Sequence, residues 1–129
     1  MAFSKNDINI DPKTESDRII KSMRHSVRRF HKHGVVLGIS GGIDSSACLA
    51  LCANAFPKDK IFCIAMPESD SNPESAVLAR ELAKKFGVQY IVEDLTAAVA
   101  GFGTYQRRDE AIKRVFPEVD ATYKSKIVL

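Results

Sequence analysis

"VVLGISGGIDSSACLALC", Val35 to Cys52, passes from a β-branched apolar run through a Gly/Ser turn into a stretch with helical spacing. Nine residues, Gly38 to Ser46, hold three glycines, three serines and one aspartate, Asp44. Val35 to Ile39 reads as a short strand buried on both faces. From Asp44 to about Phe56 the apolar positions recur as on a helix, and Pro57 stops it. A strand, a tight turn and a helix in this order open a βαβ unit, so this stretch decides the fold.

The rest of the chain extends the pattern. Residues 1–10 read as a loose leader. Asp11-Pro12 predicts a helix start, with an Asp cap and Pro at the first helical position. Ile19, Ile20, Met23, Val27 and Phe30 give that helix an apolar face, and Gly34 is expected to end it. Lys21, Arg24, Arg28, Arg29 and Lys32 line the other face and read as solvated surface. Ile61 to Met66 is a second strand. Asn72-Pro73 starts a helix with Leu78, Ala79, Leu82, Ala83 and Phe86 on one face, closed by Gly87. Val88 to Val92 is a third strand. A weaker helix covers about Leu95 to Ala100, Gly101 and Gly103 break it, and a last helix runs from about Tyr105 to Phe116. The order α-β-α-β-α-β-α predicts an α/β fold: a doubly wound parallel sheet with right-handed crossovers and helices on both faces. Residues 1–129 are expected to form a single domain. Three strands make a small sheet, and "PEVDATYKSKIVL" ends on apolar residues without a closing element, so the expectation is an incomplete portion of a larger domain.

What the turn holds follows from its place. In open parallel sheets ligands sit beyond the carboxyl ends of the strands. The Ser40–Ser46 turn lies at such an end and opens a helix, whose first-turn N–H groups are unpaired and carry partial positive charge. Gly41 and Gly42 permit close backbone approach and backbone conformations closed to other residues. Ser40, Ser45 and Ser46 add hydroxyls. This is a cradle for phosphate or pyrophosphate. Asp44 suits it as a ligand of a Mg²⁺ that bridges to phosphate oxygens.

Three named motifs compete for the turn. The P-loop pattern needs a Lys, and none is present. The dinucleotide pattern G-x-G-x-x-G fails because Ser40 stands where its second Gly belongs. "GISGG" does match the G-x-S-x-G elbow of α/β-hydrolases, with Ser40 as nucleophile. That chemistry needs a His after the Ser in the chain, and His25, His31 and His33 all precede Ser40.

"SGGIDS", Ser40 to Ser45, resembles the SGGxDS pyrophosphate loop of the N-type ATP pyrophosphatases. Within them the chain resembles the NAD synthetase family. The basic helix leading into "VVLGISGGIDSS" is similar, as are "MPESDSNPESAVLARELAKKFGV" and "KRVFPEVDATYKSKIVL". The likeness runs from about residue 15 onward, without the family's second half. It implies a Rossmann-like, adenine nucleotide α-hydrolase-like sheet. It also implies ATP-dependent amidation of nicotinic acid adenine dinucleotide to NAD through an adenylylated carboxylate, with ammonia as amide donor. Residue by residue, it implies that Ser40, Gly41, Gly42, Ile43, Ser45 and Ser46 hold the ATP phosphates, with Ser40, Asp44 and Ser45 catalytic and Asp44 on Mg²⁺. Gly38 and Met66 would border the adenine. A homodimer is implied as well. The alternatives are an inactive fragment that binds ATP or pyrophosphate, and another amidating or thiolating pyrophosphatase.

Composition narrows the classes. The chain has 129 residues, 45% hydrophobic and 27% charged, which is ordinary for a globular core. A net charge of +3 falls short of a nucleic-acid footprint. No run approaches the roughly 18 apolar residues of a membrane span. Three cysteines, Cys48, Cys52 and Cys63, without a secretory segment argue against disulfides. Cys48 and Cys52 are expected in the core with Ala47, Leu51 and Ala55. The expectation is a cytoplasmic protein without nucleic-acid or membrane partners.

Overall fold

A computed structural model describes residues 9–120 and 123. The leader expected at 1–10 and the tail beyond Asp120 therefore lie mostly outside the described residues. The elements are α1 (Pro12–Arg29), β1 (Val35–Gly38), α2 (Ile43–Ala55), a 3₁₀ turn (Lys58–Lys60), β2 (Ile61–Ala65), α3 (Pro73–Phe86), β3 (Gln89–Val92), α4 (Thr96–Gly101) and α5 (Thr104–Val115). The chain divides into two compact units between Glu93 and Asp94.

In the first unit the three strands pair in parallel in the order β1-β2-β3. Val35 stands opposite Ile61, and Phe62 opposite Gln89. The capping residues do what their chemistry dictates. The Asp11 side chain accepts from the N–H groups of Lys13 and Thr14 at 3.2 and 3.3 Å, with Pro12 next. The Thr14 hydroxyl also binds it, and these bonds hold the carboxyl below its ordinary value. Asn72 accepts from the Glu74 N–H at 3.0 Å, and Gly87 closes α3 in the left-handed conformation. On α1 that closing place falls to His31 (φ 52°), not to the expected Gly34. Gly34 meets a different need. A Cβ there would lie 2.4 Å from the Lys60 carbonyl oxygen, so only glycine lets the two connections touch.

The core lies between α1–α3 and one face of the sheet. Leu49, Ile61 and Cys63 are its largest fully buried side chains; Ile39, Cys52, Ala55, Ala65, Ala79 and Ala83 complete it. Met23 of α1, Phe56, Leu82 and Phe86 pack against it. The alanines let α3 approach the sheet closely. Arg24, read from sequence as part of a solvated face, instead donates to the last carbonyls of α2, Ala55 at 2.7 Å and Asn54 at 2.8 Å, which clamps α1 to α2.

The parallel α/β fold is as expected. The strands of this unit, however, are one-sided. Along β2, Ile61, Cys63 and Ala65 are buried while Phe62 and Ile64 are only partly so, and Val36 of β1 is 69% exposed. Successive right-handed crossovers that advance in one direction put their helices on one face. Val35 to Ile39 is therefore not buried on both faces among the described residues.

Cys52 and Cys63 are buried, but Cys48 is exposed, because Leu49 rather than Cys48 points at the sheet. Burial pushes both buried thiols above the ordinary value of 9.0, with Cys48 and Cys63 adding to the shift at Cys52. Unfolded thiols then ionise before native ones. Stability is full below the ordinary thiol value and declines as pH rises through it. Thermal melts should therefore show a lower Tm at pH 10 than at pH 7.5, and replacing both buried cysteines by Ala should flatten that difference.

The second unit contains α4 and α5, joined through Gly103 in the left-handed conformation. Asp94 accepts from the Thr96 N–H at 2.8 Å, and the bonds from Thr96 hold its carboxyl low. Among the described residues no helix is long and apolar enough to cross a membrane.

Candidate functional site

β1 delivers the chain to the carboxyl edge of the sheet, where the Ile39 N–H still donates to the Ile64 carbonyl at 2.9 Å. Ser40, Gly41 and Gly42 then turn it into α2. The first intrahelical bond runs from the Ser46 N–H to the Gly42 carbonyl at 3.1 Å. The N–H groups of Ile43, Asp44 and Ser45 thus precede any carbonyl that α2 could offer them. They form the positive end of a 13-residue helix.

The serines organise the loop. Ser45 Oγ accepts from the Ser40 N–H at 3.3 Å, donates to the Gly42 carbonyl at 3.0 Å and lies 3.4 Å from Ser40 Oγ. Ser46 Oγ donates to the same carbonyl at 2.8 Å. Ser40, Ser45 and Ser46 are therefore drawn together at the mouth of α2, as the sequence predicts. Asp44 is exposed in the first turn of α2, where a carboxylate complements the helix dipole. Ile43 also points to solvent.

The two glycines of the loop differ. Gly41 has φ +75°, and a Cβ there would lie 2.6 Å from Leu78 Cβ and 3.0 Å from the Ser75 carbonyl oxygen. Gly42 has φ −77°, an ordinary value, and a Cβ would meet only Ser40 Oγ at 3.4 Å. The special conformation expected of both belongs to Gly41 alone.

This contact brings in a group that sequence reasoning does not place at the site. Leu78, expected in the core with Ala79, is 49% exposed and sits against Gly41. The first turns of α3 thus form the wall behind the loop. Helical spacing assigns Leu78 and Ala79 to one broad face and carries no signal that separates them.

Gly38 and Met66 do come together. They lie at the ends of neighbouring strands, and the Met66 methyl carbon stands 3.4 Å from where a Gly38 Cβ would be. Met66 is half exposed at the end of β2. The connections at this edge, residues 39–46 and 66–75, carry Asp44, Glu68, Asp70 and Glu74 and neither Lys nor Arg. Among the described residues no group of three or more potential metal ligands gathers.

Comparison with known proteins places this geometry in context. The family model described as NAD synthase matches residues 15–125. An NH(3)-dependent NAD(+) synthetase of Rhizobium meliloti is 43% identical over 129 residues, all of this chain and 39% of that protein. Among solved structures, the NH3-dependent NAD synthetase of Campylobacter jejuni aligns with TM-score 0.67 and 26% identity, over 73% of this chain and 41% of that one. A glutamine-dependent NAD+ synthetase of Acinetobacter baumannii, solved with ADP, aligns with TM-score 0.62 and 28% identity, over 80% of this chain and 19% of that one. The chain thus spans about two-fifths of the length of the Rhizobium relative.

Proposed function

The chain belongs to the NAD synthase family, and from that premise we propose that it forms the ATP-binding part of an NAD synthetase. In this reading a carboxylate oxygen of nicotinic acid adenine dinucleotide attacks the α-phosphorus of ATP, and pyrophosphate leaves. Ammonia then attacks the acyl carbon, AMP leaves and the amide of NAD remains. The observation that carries the reading is the helix mouth at residues 40–46: backbone donors, three hydroxyls and a left-handed Gly41 at the carboxyl edge of a parallel sheet.

The residues act without a covalent step. The first-turn N–H groups of α2, with Ser40, Ser45 and Ser46, hold the β- and γ-phosphates. They stabilise negative charge that grows as pyrophosphate departs. Gly38 and Met66 border the adenine. Asp44 suits a Mg²⁺ held mainly by substrate phosphates and water, which needs few protein ligands. Mg²⁺ bound there would neutralise phosphate charge. Both units belong to one nucleotide-binding domain in this reading, which the match across residues 15–125 supports. The same reading takes the protein as a cytoplasmic homodimer, with ammonia as nitrogen donor.

The test is calorimetric titration of the folded chain with ATP plus Mg²⁺, and with pyrophosphate. Saturable binding of both is expected. A cooperatively folded chain that binds neither would remove the loop from this role. Asp44→Asn is expected to weaken Mg-ATP binding at least tenfold and metal-free ATP binding less than threefold. Equal losses would take Asp44 away from the metal.

A further inference from the structure

The amino-terminal edge of the sheet, opposite the loop, concentrates positive charge. Three connections meet there. α1 ends on Arg28 and Arg29, followed by Lys32. The 3₁₀ turn before β2 carries Lys58 and Lys60. The last turn of α3 carries Lys84 and Lys85. All seven are exposed. The connections lie side by side: the Gly34 Cβ position is 2.4 Å from the Lys60 carbonyl oxygen, and that of Gly87 is 3.2 Å from Lys58 Nζ. The nearby carboxylates on these segments are Asp59, paired with Lys60 at 3.2 Å, and Glu81 one turn back on α3.

The whole-chain charge of +3 hides this edge, because the loop edge is acidic. Cations in a last helical turn complement the helix dipole. That explains Arg28, Arg29, Lys84 and Lys85, but not Lys32 or the turn at Lys58–Lys60. Phe30, at the same edge, is 65% exposed between Arg29 and His31.

We propose that this edge binds the phosphate backbone of a single-stranded nucleic acid, with Phe30 as a stacking surface for a base. A patch of seven exposed cations is unlike the charge-depleted centre of a protein interface. It suits a polyelectrolyte, whose binding is driven by counterion release. Basic side chains beside an exposed aromatic ring are the pattern of strand binding without sequence preference.

The test is fluorescence anisotropy of the full chain with a fluorescein-labelled oligothymidylate of about 20 nucleotides. With about five phosphates neutralised, raising NaCl from 50 to 150 mM should weaken binding about fifty-fold. Lys32→Glu/Lys84→Glu/Lys85→Glu should abolish binding at 50 mM NaCl, and Lys113→Glu/Arg114→Glu on α5 should leave it within twofold. If the triple variant does not fold, Lys58→Gln/Lys60→Gln should still weaken binding at least fivefold. Phe30→Ala should weaken it with no change in the salt slope. Saturating pyrophosphate, which in the proposed function occupies the loop at the other edge, should not compete when the ionic strength is held constant with NaCl. No binding at 50 mM NaCl, equal losses in the α5 variant, competition by pyrophosphate, or tighter binding to phosphatidylserine vesicles than to the oligonucleotide would each overturn the assignment.

Discussion

Gly41→Ala is expected to lower the unfolding free energy by about 2–5 kcal/mol and to remove measurable pyrophosphate binding. Two penalties add. A non-glycine residue at φ +75° costs about 1–2 kcal/mol. The new methyl would also overlap Leu78 Cβ at 2.6 Å and press on the α3 backbone at Ser75 and Ala79, and overpacking of this kind costs about 1–3 kcal/mol. Neither neighbour can rotate away, since one is a Cβ and the others are main chain. The loop must move instead, and its N–H groups lose their common aim. Gly42→Ala is the control: its φ is ordinary and its nearest neighbour is a hydroxyl at 3.4 Å. It should cost less than about 1 kcal/mol. Denaturant melts and pyrophosphate titration of both variants decide the matter; similar losses in the two would mean that α3 does not brace the loop.

Leu49→Ala is the second large effect. Leu49 is fully buried and ties α2 to the sheet. Truncation of such a side chain leaves a cavity and costs about 3–5 kcal/mol, while Leu49→Ile should cost less than about 1.5 kcal/mol. The damage lies in the core, not in the loop. Below its melting temperature the Ala variant should therefore bind pyrophosphate within about fivefold of the parent. A Gly41→Ala protein should fail to bind even where it is fully folded. A Leu49→Ala protein that stays within about 1 kcal/mol of the parent would show that the core collapses around the gap.

Local chemistry makes most of the fold readable. Asp11-Pro12 and Asn72-Pro73 start helices because side-chain caps and a missing N–H act within a single turn. The three apolar runs form strands, and the Gly/Ser turn lies at the carboxyl edge, because alternation of strands and helices dictates crossovers. Three features are not readable, for physical reasons. Whether a run such as Val35 to Ile39 is covered on one face or two depends on where other elements dock. Val36 and Leu37 look alike until the helices choose a side. Leu78 and Ala79 share one helical face, and only the position of Gly41 turns Leu78 towards the loop. His31 takes the left-handed place after α1, while Gly34 lies where the chain passes closest to Lys60, and neither contact is visible in the local sequence. At the site, the serines and Gly41 are legible as a group, whereas equal treatment of Gly42 is not warranted by its backbone.

The order β1-β2-β3 is also the order of synthesis. Each strand's partner is the one made just before it, so no pairing waits for a distant segment. Chains emerge from the ribosome at about 5–20 residues per second, and domains fold from the amino end. The β1–α2–β2 unit, with the loop already at its edge, can therefore close while α3 is still being made. Leu78 and Ala79 then arrive last against Gly41, and the loop takes its final shape only when translation has passed them.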